Sequence, residues 1–400
     1  MINVAVLHVK YSVNASYYDD WLDAFSAHRR LRPTLVNLFN PAERAKLPHI
    51  LSGADFVIIL HSGTADTLDY VRKATPILLT RRCPLVVFMG NEFNMPWLPF
   101  EDRRAWLREV GAEFIATQLA EETGAWLYEG SGGRVIAVPH GINAAAFVMT
   151  TPRENRRIDI GARTFPYPVY VGNRVRNELI EQVAVLGREL GLKLDIETTR
   201  RLSRRDWAGF LNTCRFTVAT EAGSTHLDRD DAHAFEVQAF LRSRRAGFAI
   251  SPTASIRGLA RRVPWRWREW ALRSLKGVGI VHEAIENDVK LQKEALARFY
   301  RQDMQTTRSG TCISSRHFDA IGCGTVQILV EGRYSDILRA GEHYVPVSAD
   351  LGNLAGVLQD LADPDFGNDI AERAWLHVME NHTLELRIDA LLDRLAGGGR

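Results

Sequence analysis

Short apolar runs rich in β-branched residues recur along the first third of the chain, at 4–9, 34–39, 56–60, 85–89, 114–117 and 134–138. Between them lie longer segments, 17–28, 68–79, 101–110 and 120–128, in which apolar residues fall three and four apart. A run of four to six apolar residues suits a strand buried on both faces, and the longer period is that of an amphipathic helix. Their alternation predicts a parallel sheet covered on both faces by helices, a Rossmann-like domain.

The rhythm stops after 138. Pro139-His140-Gly141-Ile142-Asn143 is followed by a polar stretch, 150–157, which is the best linker candidate in the chain. The rhythm then restarts, with strands at 158–160, 194–197, 216–220 and 325–330 and helices near 176–190 and 203–211. The reading is an α/β chain with one Rossmann-like domain over 1–150 and a second over 151–382. The last segment, 383–400, sets Leu384, Ile388, Leu391, Leu392 and Leu395 on one face behind Thr383 as N-cap. That face is expected to cross back and pack on the first domain.

Composition narrows the class. At 400 residues two hydrophobic cores are expected, and 46% hydrophobic with 24% charged residues is the balance of a folded protein. A net charge of +2 calls for no nucleic-acid partner. Only seven of the 50 basic residues are lysine, so the positive charge is almost all guanidinium, the group suited to forked phosphate contacts; base composition explains the bias equally well. Cys83, Cys214, Cys312 and Cys323 are scattered without a C-x-x-C pair, which fits a reducing, cytoplasmic setting. The first apolar run has no basic segment ahead of it and Lys10 behind, so it reads as a strand rather than a leader.

Sheets of this kind bind ligands at the carboxyl ends of their strands. The first such turn, His8-Val9-Lys10-Tyr11-Ser12, has no G-x-G-x-x-G, which counts against a nicotinamide or flavin cofactor. The strongest signal lies at 313–324. Ser314 would cap a helix with Ser315 and Arg316 in its first turn, an arrangement that binds phosphate. Asp319, one turn on, is placed to accept from ribose hydroxyls. The ordinary alternative is a capped helix with a surface arginine, and on this evidence alone the two stand even. In the first half, His61 and Glu92 follow apolar runs, and either is chemically suited to take an acceptor's hydroxyl proton. A lone histidine is more often structural.

Two segments compete with this picture. Asp228-Arg229-Asp230 makes a D-x-D flanked by His226 and His233, which is weighed as chance; no metal is expected. Segment 256–277 interleaves Trp265, Trp267 and Trp270 with six arginines. It reads equally as a peripheral membrane contact or as a surface helix burying its tryptophans, with Pro264 interrupting it.

The run SSRHFDAIGCGTVQILVEGRYSDIL, with AGEHYVPV behind it, resembles the signature of bacterial group 1 glycosyltransferases of the CgeB-like branch. Their helix carries R-x-F-E before a Gly-containing turn into a strand. Glu380-Asn381-His382-Thr383 is similar to the family's closing E-x-H-T/S, Gly90-Asn91-Glu92 to its G-N-E segment, and Pro139 to Asn143 to its interdomain turn. Arg163 with Pro166, Pro168 and Gly172 resembles its Arg-rich loop. The likeness covers most of the chain in separated blocks. It implies a GT-B fold, two Rossmann-like domains facing across a cleft, and a nucleotide-diphosphate sugar as donor with no cofactor.

The diphosphate would be held by Arg163, Arg316 and the helix start at Ser314 and Ser315. Asp319 stands where the family has Glu on the ribose, and Glu331, Tyr334 and Ser335 would lie over the donor sugar. Arg174 adds charge, though a solvated helix-start arginine is the commoner role. Metal-free transfer needs such cations and helix dipoles against the departing diphosphate. The family's second acidic residue falls on Thr311 here, leaving Glu221 or Glu331 as substitutes. Glu92 is favoured over His61 as base because it matches a family block. The acceptor implied is a cell-envelope glycan or a lipid-linked acceptor, with retention of configuration. A nucleotide-sugar epimerase, a glycoside phosphorylase, or a non-catalytic glycan-assembly protein stand as alternatives.

Overall fold

The computed structural model describes residues 1–10, 16–164, 167–198, 202–244, 249–250, 281–282, 289–300 and 308–397. Segment 256–277, Pro166 and the last three residues lie outside them. The first half runs β1 (Ile2–His8), α1 (Ser16–Ala27), β2 (Leu31–Asn37), α2 (Pro41–Arg44), α3 (Leu47–Ser52), β3 (Phe56–Ile59), α4 (Asp69–Leu78), β4 (Leu85–Phe88), α5 (Phe100–Val110), β5 (Phe114–Thr117), α6 (Glu121–Leu127) and β6 (Arg134–Ala137). All six strands are parallel, in the order β2-β1-β3-β4-β5-β6. Because helices cover both faces, β4 is buried at every position and carries only Leu, Val and Phe.

The second half runs β7 (Ile158–Arg163), α7 (Val175–Glu189), β8 (Leu194–Glu197), α8 (Arg204–Leu211), β9 (Cys214–Ala219), β10 (Ala222–Leu227), α9 (Ala232–Arg244), β11 (Ala249–Ile250), β12 (Val281–His282), α10 (Val289–Phe299) and β13 (Arg308–Cys312). It continues through α11 (Ser315–Gly322), β14 (Val326–Val330), β15 (Val345–Val347), α12 (Leu354–Asp360), α13 (Asn368–Asn381) and α14 (Leu384–Gly397). Its main sheet is parallel, in the order β15-β14-β9-β7-β8. In both sheets the order reverses once, between β1 and β3 and between β7 and β9.

The chain crosses between the sheets twice at one place. Ile142 N–H donates to the His382 carbonyl (2.9 Å) and Leu384 N–H to the Ile142 carbonyl (3.0 Å). Gly141 is required there, since a Cβ would lie 2.6 Å from the His382 oxygen. Two of the resembling blocks, around Pro139 and His382, are therefore partners in space.

Beyond the crossing, α14 returns to the first sheet. Leu384, Ile388, Leu391, Leu392 and Leu395 share one buried cluster with Val4, Val6, Trp21 and Phe25. Each such side chain is worth roughly 1.5–3 kcal/mol on full burial. The accompanying half-exposed ion pairs, Arg394 with Glu121 and Arg30 with Asp389, contribute about 1 kcal/mol each, so the apolar face decides the docking.

Two features go beyond the sequence reading. The polar stretch 150–157 is tied down: Arg156 is buried and donates to the carbonyls of Thr151, Cys214, Cys323 and Gly324. The antiparallel pair β10–β13, which the pattern did not suggest, sends Leu227 and Cys312 into the apolar cluster of the first half.

Candidate functional site

The reversal between β7 and β9 opens a crevice at their carboxyl ends, where ligands bind in sheets of this topology. Thr164 follows β7, and Thr220 and Glu221 follow β9. Two helices begin there. At the start of α7, Asn173 Oδ1 accepts from the Arg176 N–H (3.1 Å) and its amide donates to Thr220 Oγ1 (3.3 Å). Arg176 donates to Thr164 Oγ1 from Nε (3.1 Å) and NH2 (2.7 Å), with its guanidinium 4.0 Å from the Tyr167 ring centre.

At the start of α11, Ser314 caps as expected. Its N–H donates to His317 Nδ1 at 3.0 Å, and its hydroxyl lies 3.1 Å from the same nitrogen. Burial pushes His317 down to about 4, so the ring is neutral and keeps Nδ1 as an acceptor. Two helix N-termini, with their free N–H groups and partial positive charge, therefore meet at the carboxyl ends of β7 and β9.

The structure gathers part of the expected set around this crevice. Ser314 and Ser315 are half-buried at the helix start. Arg316 is exposed beside them, its guanidinium 5.5 Å from the Trp207 ring centre and bonded to the Arg163 carbonyl. The loop after β14 lies against the same corner: Ser335 Oγ accepts from the Ile313 N–H (3.1 Å), and Glu221 accepts from the Tyr334 N–H (2.7 Å). Arg174 is exposed at the head of α7, and Glu331 is exposed with its backbone N–H on the Val347 carbonyl.

Three expected donor contacts need correction. Arg163 turns along the sheet, pairing with Asp195 (2.9 Å) and stacking on Phe210 (3.8 Å); only its carbonyl meets Arg316. Asp319 is buried and accepts from Trp207 Nε1 (2.9 Å). Burial, reinforced by the nearby Asp20, pushes it well above the usual carboxylate range, which suits a buried hydrogen-bonded acid rather than a ribose ligand. The Tyr334 ring is fully buried, its hydroxyl donating to the Val330 carbonyl (2.6 Å) and its ring in edge-to-face contact with His317.

The two base candidates of the first half are likewise enclosed. His61 is 1% exposed and packs on Trp21, Phe88 and His140, with ring centres 5.0–5.4 Å apart. Burial drives its basicity far down. Glu92 accepts from Thr117 Oγ1 (2.6 Å), Tyr128 Oη (2.9 Å) and the Gln118 N–H (2.8 Å). Burial raises it to about 6, and its oxygens are spent on three donors. Both residues read as structural in this conformation.

The D-x-D segment proves to be a junction. Asp228 Oδ2 accepts from the His233 N–H and Asp230 Oδ1 from the Ala232 N–H, capping α9. Asp231 is fully buried, accepting from Asn94 Nδ2 (2.7 Å) and the Phe100 N–H (2.6 Å) of the first half. On the opposite flank Arg204 bonds Asp20 and Asp23 of α1. These pairs join the lobes on either side.

Sequence reasoning missed Arg176, Asn173, Thr164 and Thr220. The one legible signal was Asn173 three residues ahead of Arg176, the spacing of a side-chain cap at a helix start.

The fold these elements define, two Rossmann-like lobes with strand ends facing and the last helix crossing back, is the GT-B architecture. It is similar over its full length to the Anabaena protein HepE. The crystal structure of HepE with UDP and glucose has a TM-score of 0.53 at 9% identity, covering 99% of this chain and 100% of that one. The structure of HepE with UDP-glucose has 0.50 at 10% identity, with the same coverage. Residues 258–393 match a family described as glycosyl transferase-like, which takes in α11, β14 and the loop after it. No curated protein matches by sequence. Taken together, the family match and the fold support a glycosyltransferase. Among the described residues, no helix is long and apolar enough to cross a membrane.

Proposed function

We propose that this chain transfers a glycosyl group from a nucleoside-diphosphate sugar, with the diphosphate at the carboxyl ends of β7 and β9. The observation that carries the reading is the convergence of two helix N-termini, α7 and α11, with Arg176 and Arg316, at the reversal of strand order. A departing diphosphate needs its charge met at a fixed place, and preorganised N–H groups and guanidinium ions supply that. HepE, whose fold this chain shares, binds UDP and glucose, which favours UDP-linked sugars as the first donors to try.

Relative to the residues first singled out, Arg176 takes over the part assigned to Arg163, while Ser314, Ser315 and Arg316 keep theirs and Arg174, exposed at the head of α7, is kept as an outer cation. Metal independence, retention of configuration, the CgeB-like branch and a cell-envelope glycan or lipid-linked acceptor carry over from the resemblance. All belong to this proposal, as does a cytoplasmic enzyme touching the membrane through 256–277.

Calorimetric titration with UDP, GDP, CDP and dTDP and their sugars tests it. Each lost charge-assisted contact is worth about 1.5–3 kcal/mol, so Arg176→Ala and Arg316→Ala should each weaken the preferred nucleotide by roughly 10- to 150-fold. Failure of every nucleotide to bind at millimolar concentration would refute the assignment.

A further inference from the structure

The loop after β14 has an unusual backbone. Tyr334, Ser335 and Asp336 hold φ of 45°, 55° and 58° in succession, and none is glycine. For L-residues each left-handed position costs on the order of 1–2 kcal/mol, and such residues normally occur singly. Something must hold this turn, and most of what does so comes from neighbouring elements.

The largest polar anchor is Glu221. Its Oε1 accepts from the Tyr334 N–H at 2.7 Å, and the Arg333 N–H and the Thr311 hydroxyl lie near enough to the carboxylate to favour its charged form against burial. Gly332 passes directly over it: a Cβ there would stand 2.5 Å from Glu221 Oε2. Thr311 sits on β13, opposite Gly223 in the β10–β13 pair. One side chain thus holds the loop after β14 and lies beside the strand that leads into α11. A second bond closes the ring, since Ser335 accepts from the Ile313 N–H just ahead of the Ser314 cap. Arg333 and Asp336 pair on the exposed side of the turn.

We propose that Glu221 is the positioning residue of the phosphate-binding corner, fixing the left-handed turn 334–336 and, through it, the N-terminus of α11. It rests on the reading of that helix start as a donor-diphosphate site. Glu221 acts through backbone N–H groups without touching donor atoms itself. The loop and the helix start should consequently move together when the carboxylate is removed. This assigns to Glu221 a different part from replacing the acidic residue absent at Thr311.

Hydrogen exchange read by mass spectrometry tests the coupling without any ligand. In Glu221→Ala, peptides covering 311–317 and 331–337 should both exchange at least tenfold faster, while peptides from the first sheet keep their rates. In Glu221→Gln, which retains one acceptor oxygen, both should move by less than threefold. Gly332→Ala strains the same contact from the other side and should reproduce the paired increase if Glu221→Ala does not fold. Acceleration confined to 331–337, or none in either peptide, would overturn the proposal.

The ligand arm uses UDP and UDP-glucose. Glu221→Ala should raise the Kd of whichever binds the wild type at least tenfold, with Glu221→Gln recovering most of the affinity. A paired change in exchange with affinity held within twofold would overturn the link to the phosphate corner. If the wild type binds neither ligand, this arm is run with whichever nucleotide of the titration series does bind; if none does, the function proposal fails and the exchange experiment still decides whether Glu221 holds the corner.

Discussion

Replacing Asp231 should loosen the junction between the two lobes, and the size of the effect follows from its surroundings. Its oxygens accept from Asn94 Nδ2 at 2.7 Å and from the Phe100 N–H at 2.6 Å, both buried. Hydrogen bonds to a charged group are worth about 1.5–3 kcal/mol each, so truncation loses roughly 3–6 kcal/mol of gross interaction. Against this, burial raises the carboxyl from 3.8 to about 6, and a shift of about two units means the charged form costs roughly 3 kcal/mol in the fold. The φ of 59° adds about 1 kcal/mol for alanine and little for asparagine.

Asp231→Ala should therefore lose about 1–4 kcal/mol, or roughly 1–5 °C in Tm for a chain of 400 residues, and Asp231→Asn about 1 kcal/mol. The sign with pH is set by the raised value. Its burial penalty is full above about 6 and vanishes below 3.8, so wild type should gain on Asp231→Asn by roughly 3 kcal/mol between pH 7 and 4. Arg103 and Asp228 face the group and oppose one another. Thermal and urea unfolding from pH 4 to 8 measure both effects. A Tm for Asp231→Ala at or above that of wild type, or a wild-type-to-Asn difference flat with pH, would refute the reasoning.

Glu92→Gln leaves one of three donors without a carboxylate oxygen, so stability at pH 8 should fall by about 1–3 kcal/mol with nucleotide affinity within twofold of wild type; calorimetry beside unfolding curves separates the two. Asp319→Asn keeps an acceptor for the Trp207 indole and removes an acid that burial already disfavours as an anion. It should be neutral or stabilising by up to about 2 kcal/mol and leave nucleotide affinity unchanged, while a tenfold loss in titration would restore the ribose role.

Periodicity exposed the architecture because both sheets are parallel and doubly covered. Such strands must be apolar at nearly every position, as in β4 and β14, and such helices must carry a stripe, as in α14. The pair β10–β13 was not legible because Gly223, Ser224, Gly310 and Thr311 carry no apolar run. Its place is set by Leu227 and Cys312 entering a cluster whose other members lie mostly more than 100 residues away in sequence. The Ser314 cap was legible because capping is a local rule, satisfied within four residues.

The chemistry of single residues was harder to read, for a reason visible at Asp319, Glu92 and Arg163. Each is a charged side chain at or near a strand or helix end, where a functional group belongs, and each is held by a partner distant in sequence: Trp207, Tyr128 and Asp195. A side chain's type and position announce what it can do, whereas its partners decide what it does, and in α/β folds those partners come through long crossovers. Arg176 shows the converse. The pattern marks it only as the start of the helix near 176–190, yet Asn173 and Thr164 hold it at the reversal of strand order. Candidate residues in such folds are therefore better ranked by their nearness to that reversal than by their charge, and by that measure Arg176, Thr220 and Glu221 precede Arg163 and Asp319.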